Sequence, residues 1–298
     1  MDIFSIRTFV AVKEMQSFSR AGEQLLLTQP AVSKRIAALE LDLGQRLFDR
    51  VGKKVILTEA GKELYVRAKK ILLEMDDCRR AITNLAETMS GRLSFATSHH
   101  IGLHRLPSIL QLFSTMYPEV ELDIRFMDSE QAYTAVAKGE VELALVTLSA
   151  STGPNLEAFP IWRDPLSLVV SLGHDLALGG SKTAPEVTAE TVVAYPAILP
   201  GLGTYTRELI TLAFSELGLH LKIKLSTNYL ETIKMLVSVG LGWGVLPQSM
   251  VRDSDLCLVR VSGISLERTL GVIHHRQRTL SKSAQTFLAM LNKDAENQ

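Results

Sequence analysis

Two sets of side chains in this 298-residue chain are spaced to do chemistry. In the first, Thr28, Gln29, Pro30, Ser33, Lys34, Arg35 and Ala37 fall close together. Thr28 can cap a helix opening at Gln29-Pro30, because the N–H that proline lacks has no intrahelical partner in a first turn. Gln29, Ser33, Lys34 and Ala37 then lie apart from Val32, Ile36, Leu39 and Leu43, which follow the i, i+4, i+7, i+11 spacing of a buried stripe. A DNA major groove about 12 Å wide admits such a face. Glutamine suits adenine, lysine suits guanine or phosphate, and the alanine methyl can meet a thymine methyl. Downstream, two short extended runs, Arg46 to Arg50 and Lys54 to Leu57, flank a turn, which is the pattern of a β-hairpin wing. Arg50, Lys53 and Lys54 at its tip suit phosphate or minor-groove contacts, and a solvated surface charge is the competing reading for each basic residue.

The second set consists of hydroxyls and backbone N–H groups at strand-to-helix junctions. Thr97-Ser98 precede His99-His100, Ser129 follows Asp128, Thr147 closes an apolar strand, Gly201 to Thr204 precede a helix, and Thr227 follows Ser226. Such groups suit a carboxylate or another small anion. The same residue types are also ordinary caps, and Asn228 followed by Glu231 resembles a capping box with no ligand role. His100 and His104 are four residues apart and can share a helix face. With no third ligand evident nearby, and Gly102 weakening the helix, no metal is expected; a pH-sensitive or anion-binding role suits the pair better. GxSxG, P-loop, GxGxxG and HExxH motifs are absent, so neither an enzyme nor a bound cofactor is expected. Cys78 and Cys257 form no metal or disulfide pattern.

The elements that must position these residues follow from periodicity. Ile3 to Met15 reads as an amphipathic helix and Ser19 to Leu25 as a second, with small Ala21 and Gly22 where another helix crosses closely. After the wing, Thr58 opens the longest helical pattern, about 30 residues. Leu64, Ala68, Ile71, Met75, Cys78, Ile82, Leu85 and Met89 occupy its a and d positions. Such a helix spans about 45 Å and cannot bury that seam alone, which predicts a dimer. From residue 92 onward strands alternate with helices in two units, implying parallel α/β sheets. Ile161 to Ser171 and Leu256 to Ile273 read as strands that carry the chain across and back, and Ala284 to Leu291 as a helix returning to the first unit.

Composition narrows the function classes. Residues 1–92 hold 16 Lys/Arg against 12 Asp/Glu, a net of +4, so the remainder of this neutral chain carries −4. Only the amino-terminal part suits a polyanion. No apolar run is long enough for a membrane span and no secretory leader is evident, which predicts a cytoplasmic protein. The two-lobed cleft also suits a solute-binding protein, but that class would need an export signal and no DNA-reading segment.

In its helix-turn-helix, wing, linker helix and paired α/β units, the chain resembles the LysR-type transcriptional regulators over essentially its full length. The likeness rests on Phe18-Ser19-Arg20-Ala21, Gln24-Leu25, Thr28 to Ser33, Ile36, Leu39-Glu40, Leu43-Gly44, Leu47-Phe48, Arg50, Leu57-Thr58 and Ala60-Gly61. It departs at Gln16, where glycine is usual, at Gly22, where alanine is usual, and at Lys34, where arginine is frequent. The resemblance implies an α/β chain with an N-terminal all-α winged helix-turn-helix domain (1–58). A linker helix (59–90) and a two-subdomain, periplasmic-binding-protein-like regulatory domain (91–298) follow. Within the latter, subdomain I is 92–161 with 268–298, and subdomain II is 162–267. It further implies a homodimer assembling into a tetramer, double-stranded promoter DNA and a small effector as partners, and RNA polymerase as a further candidate. The effector is expected between the subdomains, near the carboxyl ends of the strands.

Overall fold

A computed structural model describes the chain apart from residues 52–53, 86–87, 178–185, 252–254 and 297–298. The chain divides into two compact units, Met1–Ala86 and Glu87–Gln298.

The first unit contains α1 (Ile3–Met15), α2 (Phe18–Leu25), α3 (Gln29–Leu43), a two-stranded wing of β1 (Phe48–Val51) and β2 (Lys54–Leu57), and α4 (Glu59–Thr83). Each helix begins where a side-chain oxygen accepts an otherwise orphaned N–H. Asp2 accepts from Ser5 N at 2.9 Å, Ser17 from Arg20 N at 3.3 Å, Thr28 from Ala31 N at 3.4 Å and Thr58 from Gly61 N at 3.0 Å. Phe9, Val12, Ala21, Val32, Ile36, Leu39, Leu47 and Phe48 close the core. Leu43, the fourth residue of the expected stripe, is 38% exposed because α3 has run past that core by its last turn. A Cβ on Gly22 would meet Leu27 O at 2.6 Å, which explains glycine there. Gln16 and Leu26 both end helices with positive φ, 50° and 56°.

The linker helix departs from expectation at both ends. Ala68 is fully buried in the core of the first unit and Leu64 packs beside it, so neither belongs to an outward seam. The first turns of α4 are needed to close the winged domain, and Lys69 pairs with Glu14 of α1 at 3.1 Å. At its other end α4 stops at Thr83, with the Asn84 N–H bonded back to Arg80 O at 2.8 Å. Leu85 lies beyond the helix, and Met89 packs into the core of the second unit. Ile71, Met75, Cys78 and Ile82 remain together on α4, lining one shallow apolar groove.

The second unit runs β3 (Gly91–Thr97), α5 (His99–His104), α6 (Pro107–Met116), β4 (Val120–Phe126), α7 (Ser129–Ala137), β5 (Leu143–Thr147) and β6 (Leu156–Ser171). It continues with α8 (Ala189–Val193), β7 (Ala197–Leu199), α9 (Tyr205–Ser215), β8 (Ile223–Ser226), α10 (Leu230–Ser238) and β9 (Trp243–Pro247). Last come β10 (Leu256–Val259), β11 (Leu266–His275) and α11 (Lys282–Glu296). Among the described residues these strands form one sheet in the order β4-β3-β5-β11-β6-β9-β7-β8, with β10 beside β6. The two trios β4-β3-β5 and β9-β7-β8 are parallel, whereas β6 and β11 pair antiparallel with each other and with their neighbours. The sheet is therefore mixed rather than purely parallel, because the chain crosses on β6 and returns on β11.

Each half of the sheet has its own core, giving two lobes. Phe95, Ile101, Phe113 and Phe287 fill the first, with α11 returning to it; Val170, Phe214, Trp243 and Cys257 fill the second. Strand β6 passes between cores from Trp162 to Leu166, and β11 from Leu266 to Leu270. At the changeover Asp164 and Arg268 are register partners.

Candidate functional site

On α3, Thr28, Gln29, Pro30 and Lys34 are exposed, and Ser33 is half-buried, accepting from Gln29 Nε2 at 2.8 Å. A side-chain pair already tied to itself is held in one geometry, so less entropy is lost when it meets a base edge. Arg35 differs from this set. It lies 3.8 Å from Asp2 Oδ1 and over the Phe4 ring, so it faces α1. Lys53 and the side chains of Arg50 and Lys54 lie outside the described residues.

In the second unit, a cavity with about 60 Å³ of free space lies between the lobes, bounded by the starts of α5, α7, α9 and α10 and by β11. Of the expected effector residues, Ser98, His99, His100, Ser129, Thr147 and Thr204 line it. Thr97 does not: it is fully buried at the end of β3. Gly201 donates its N–H to Asn228 Oδ1 at 2.8 Å, and Thr227 accepts from Tyr229 N at 3.4 Å, so both are occupied in shaping their own turns. Ser98 opens α5 without a side-chain capping bond, whereas Ser129 accepts from Thr147 N at 3.0 Å.

The floor of the cavity is a buried charge cluster. Arg268 donates through Nε to Asp164 Oδ2 and through Nη1 to Thr206 Oγ1, both at 2.8 Å, while its Nη2 has no hydrogen-bond partner among the described residues. Asp164, 1% exposed, is also 3.7 Å from Arg105 Nη2 and 3.8 Å from His100 Nε2. Buried charges of this kind persist only in compensating company. Among the described residues, neither ring nitrogen of His100 has a hydrogen-bond partner. Burial, and after it the charge of Arg268, pushes its pKa down to about 3, so the ring is neutral near pH 7.

Direct contacts join the lobes across the cavity. Tyr205 N donates to Glu130 Oε1 and Asn228 Nδ2 to Asp128 Oδ2, each at 2.7 Å, and the His99 ring packs edge-on against Tyr229. His104 Nε2 and Glu231 Oε1 are 2.9 Å apart. Burial is the largest influence on Glu231 and opposes its ionisation, but the bond to His104, a hydrogen bond to its own backbone and the neighbouring imidazoles together outweigh it and hold the carboxyl below its usual range. Asn228 and Glu231 are thus not a capping box: Tyr229 is the N-cap of α10, and both side chains reach the opposite lobe.

Spacing missed Glu130, Asp164, Thr206, Asn228, Glu231 and Arg268. For Asp164 and Arg268 the sequence held no local signal, because each sits beside a residue of opposite charge, Arg163 and Glu267, on its own strand.

Residues 3–62 match the family described as bacterial regulatory helix-turn-helix protein, lysR family, and residues 86–296 match the LysR substrate binding domain. The HTH-type transcriptional regulator cbl of Escherichia coli is 32% identical over 84% of this chain and 78% of its own length. CysL of Bacillus subtilis is 28% identical over 98% and 97%. The fold is shared with full-length CbnR, a LysR family regulator solved in complex with its target DNA. That match has a TM-score of 0.65 at 21% identity, covering 99% of this chain and 100% of that one. No helix among the described residues is long and apolar enough to cross a membrane. With its reading head and its two-lobed unit both matched, the chain belongs to the LysR family of transcriptional regulators.

Proposed function

We propose that this regulator reads promoter DNA with α3 as a homodimer joined along Ile71, Met75, Cys78 and Ile82 of α4, and that a small anion between the lobes controls it. The observation that carries the effector reading is Arg268, a buried guanidinium that lines the cavity with one nitrogen unpartnered. Such a donor costs roughly 1–3 kcal/mol, which an oxyanion recovers. Ser98, Thr204 and Thr206 add hydroxyls. Asp128 and Glu130 on the other wall favour a ligand whose far end carries a hydroxyl or ammonium donor.

The free space holds only a few non-hydrogen atoms, so a larger effector enters by displacing the Asp128–Asn228 bridge. Binding thereby shifts the balance between closed and open lobes, and with it the spacing of paired reading heads on half-sites about 34 Å or its multiples apart. The protein acts in the cytoplasm, where its DNA is, with no catalytic step of its own.

The test is a thermal-shift screen of the full-length chain, with chelator present, against small hydroxy- and amino-carboxylates, phosphate and sulfate. At least one anion is expected to raise Tm and alter the promoter footprint, with both effects reduced in Ser98→Ala and Thr204→Val. A screen with no stabilising anion, or variants that keep the full response, overturns the reading.

A further inference from the structure

A second site lies beside the anion cavity and needs a different ligand. His100 and His104 project from α5 in the first lobe, and Glu231 comes from the first turn of α10 in the second. One ligand atom from each of the three lies within 4.8 Å of the others. Two imidazoles and one carboxylate are the donor set of first-row divalent transition cations, which leave a fourth position for water. We infer that His100, His104 and Glu231 form a three-residue site for a zinc-class divalent cation that ties the two lobes together.

Three observations carry it. His100 is 5% exposed, yet neither ring nitrogen has a hydrogen-bond partner among the described residues, an arrangement that a coordination bond relieves. The His100 and His104 rings are 5.0 Å apart, so the i, i+4 spacing on α5 brings both imidazoles to one place. Glu231 Oε1 is already 2.9 Å from His104 Nε2, and a cation bound there exchanges that single bond for two coordination bonds. Ligand atoms of a tetrahedral site are separated by roughly 3.3 Å, given bond lengths of about 2.0–2.1 Å, so the set needs only a modest inward adjustment.

The surroundings admit the charge. Arg268 and Arg105 both lean on Asp164, at 2.8 and 3.7 Å. With Glu231 counted, two guanidiniums face two carboxylates before the ion enters. Asp164, 3.8 Å from His100 Nε2, also provides the acid that commonly orients a ligating imidazole from one nitrogen while the other meets the metal.

The cation site does not depend on the anion cavity being occupied, and the two are tested separately. Full-length protein stripped with chelator is dialysed against ZnCl2, and bound metal is counted. One zinc per chain is expected, with a rise in Tm. Co²⁺ in its place is expected to give a visible ligand-field spectrum. His104→Gln and Glu231→Gln, both changes at half-exposed side chains, are expected to weaken zinc by about tenfold or more and to remove the Tm rise. Their metal-free Tm is expected to stay within about 4 °C of the parent, because the half-exposed His104–Glu231 bond is the main contact they alter. His100→Gln is expected to do the same if it folds, but the site stands or falls on the other two variants. Less than one equivalent bound, or unchanged affinity in both exposed variants, overturns the site. The anion response is read separately in chelator.

Discussion

On α3 the polar side chains of Thr28, Gln29 and Lys34 stand in solvent, whereas at the interlobe cavity Asp164 and His100 are almost wholly withdrawn from it and the Arg268 side chain is 9% exposed. The first surface takes its shape from one helix and its partner from outside, so each residue acts nearly alone. The second is assembled from segments as far apart as residues 98 and 268, and every charged group there depends on another. A site built on one exposed helix tolerates substitution structurally and registers it in binding. A site built from buried charges registers substitution first in stability.

The sharpest way to break that contrast is Asp164→Ala. It leaves Arg268 and Arg105 without their shared acid, and a loss of about 3–5 kcal/mol in urea unfolding of the second unit is expected. A loss below about 1 kcal/mol would mean that solvent reaches the cluster. Within the first unit, Gly22→Ala drives a Cβ toward the Leu27 carbonyl, and a cost of about 1–3 kcal/mol is expected even though the family commonly has alanine there.

Acid titration of the second unit comes next. His100 titrates near 6.5 when unfolded and at about 3 when folded, so the unfolded chain takes a proton that the folded one refuses. Its contribution is therefore complete above about pH 6.5 and declines as pH falls toward 3, reaching a loss of about 2 kcal/mol at pH 5. In chelator, His100→Gln should flatten the stability slope between those values; an unchanged slope would show that the ring is solvated. Leu26→Asn replaces an exposed leucine at φ 56° with a residue that accepts that conformation, and should raise stability by roughly 0.5–1 kcal/mol. Smallest in stability is Lys34→Ala, expected within about 0.5 kcal/mol of the parent while sequence preference relaxes. Equal losses on specific and random DNA would reassign Lys34 to phosphate.

The same contrast governs what could be read before folding. The caps at Thr28 and Thr58 act within three residues of themselves, so their helices are legible from spacing alone. The end of α4 was not, because heptad spacing continues through Leu85 and Met89 while tertiary packing assigns them elsewhere. At the cavity, a hydroxyl after a strand marks the neighbourhood but not the direction it faces, which is why Ser98 lines the space and Thr97 does not. The bridges Asp128–Asn228 and Asp164–Arg268 join residues 100 and 104 positions apart, and no local pattern encodes them.

The crossing strands also impose an order on biosynthesis. The second lobe's core is drawn from residues 166–266, one continuous stretch, but the first lobe's core needs Leu270, Phe287 and Leu291 as well as Leu93 and Phe95. As the chain leaves the ribosome, the reading head can close first, then the second lobe. Strand β3 meanwhile waits with its apolar face only partly covered, by α5 and α6, until α11 arrives. A truncation near the carboxyl terminus therefore damages the lobe encoded earliest, and a nascent chain paused before residue 270 exposes that face to chaperones.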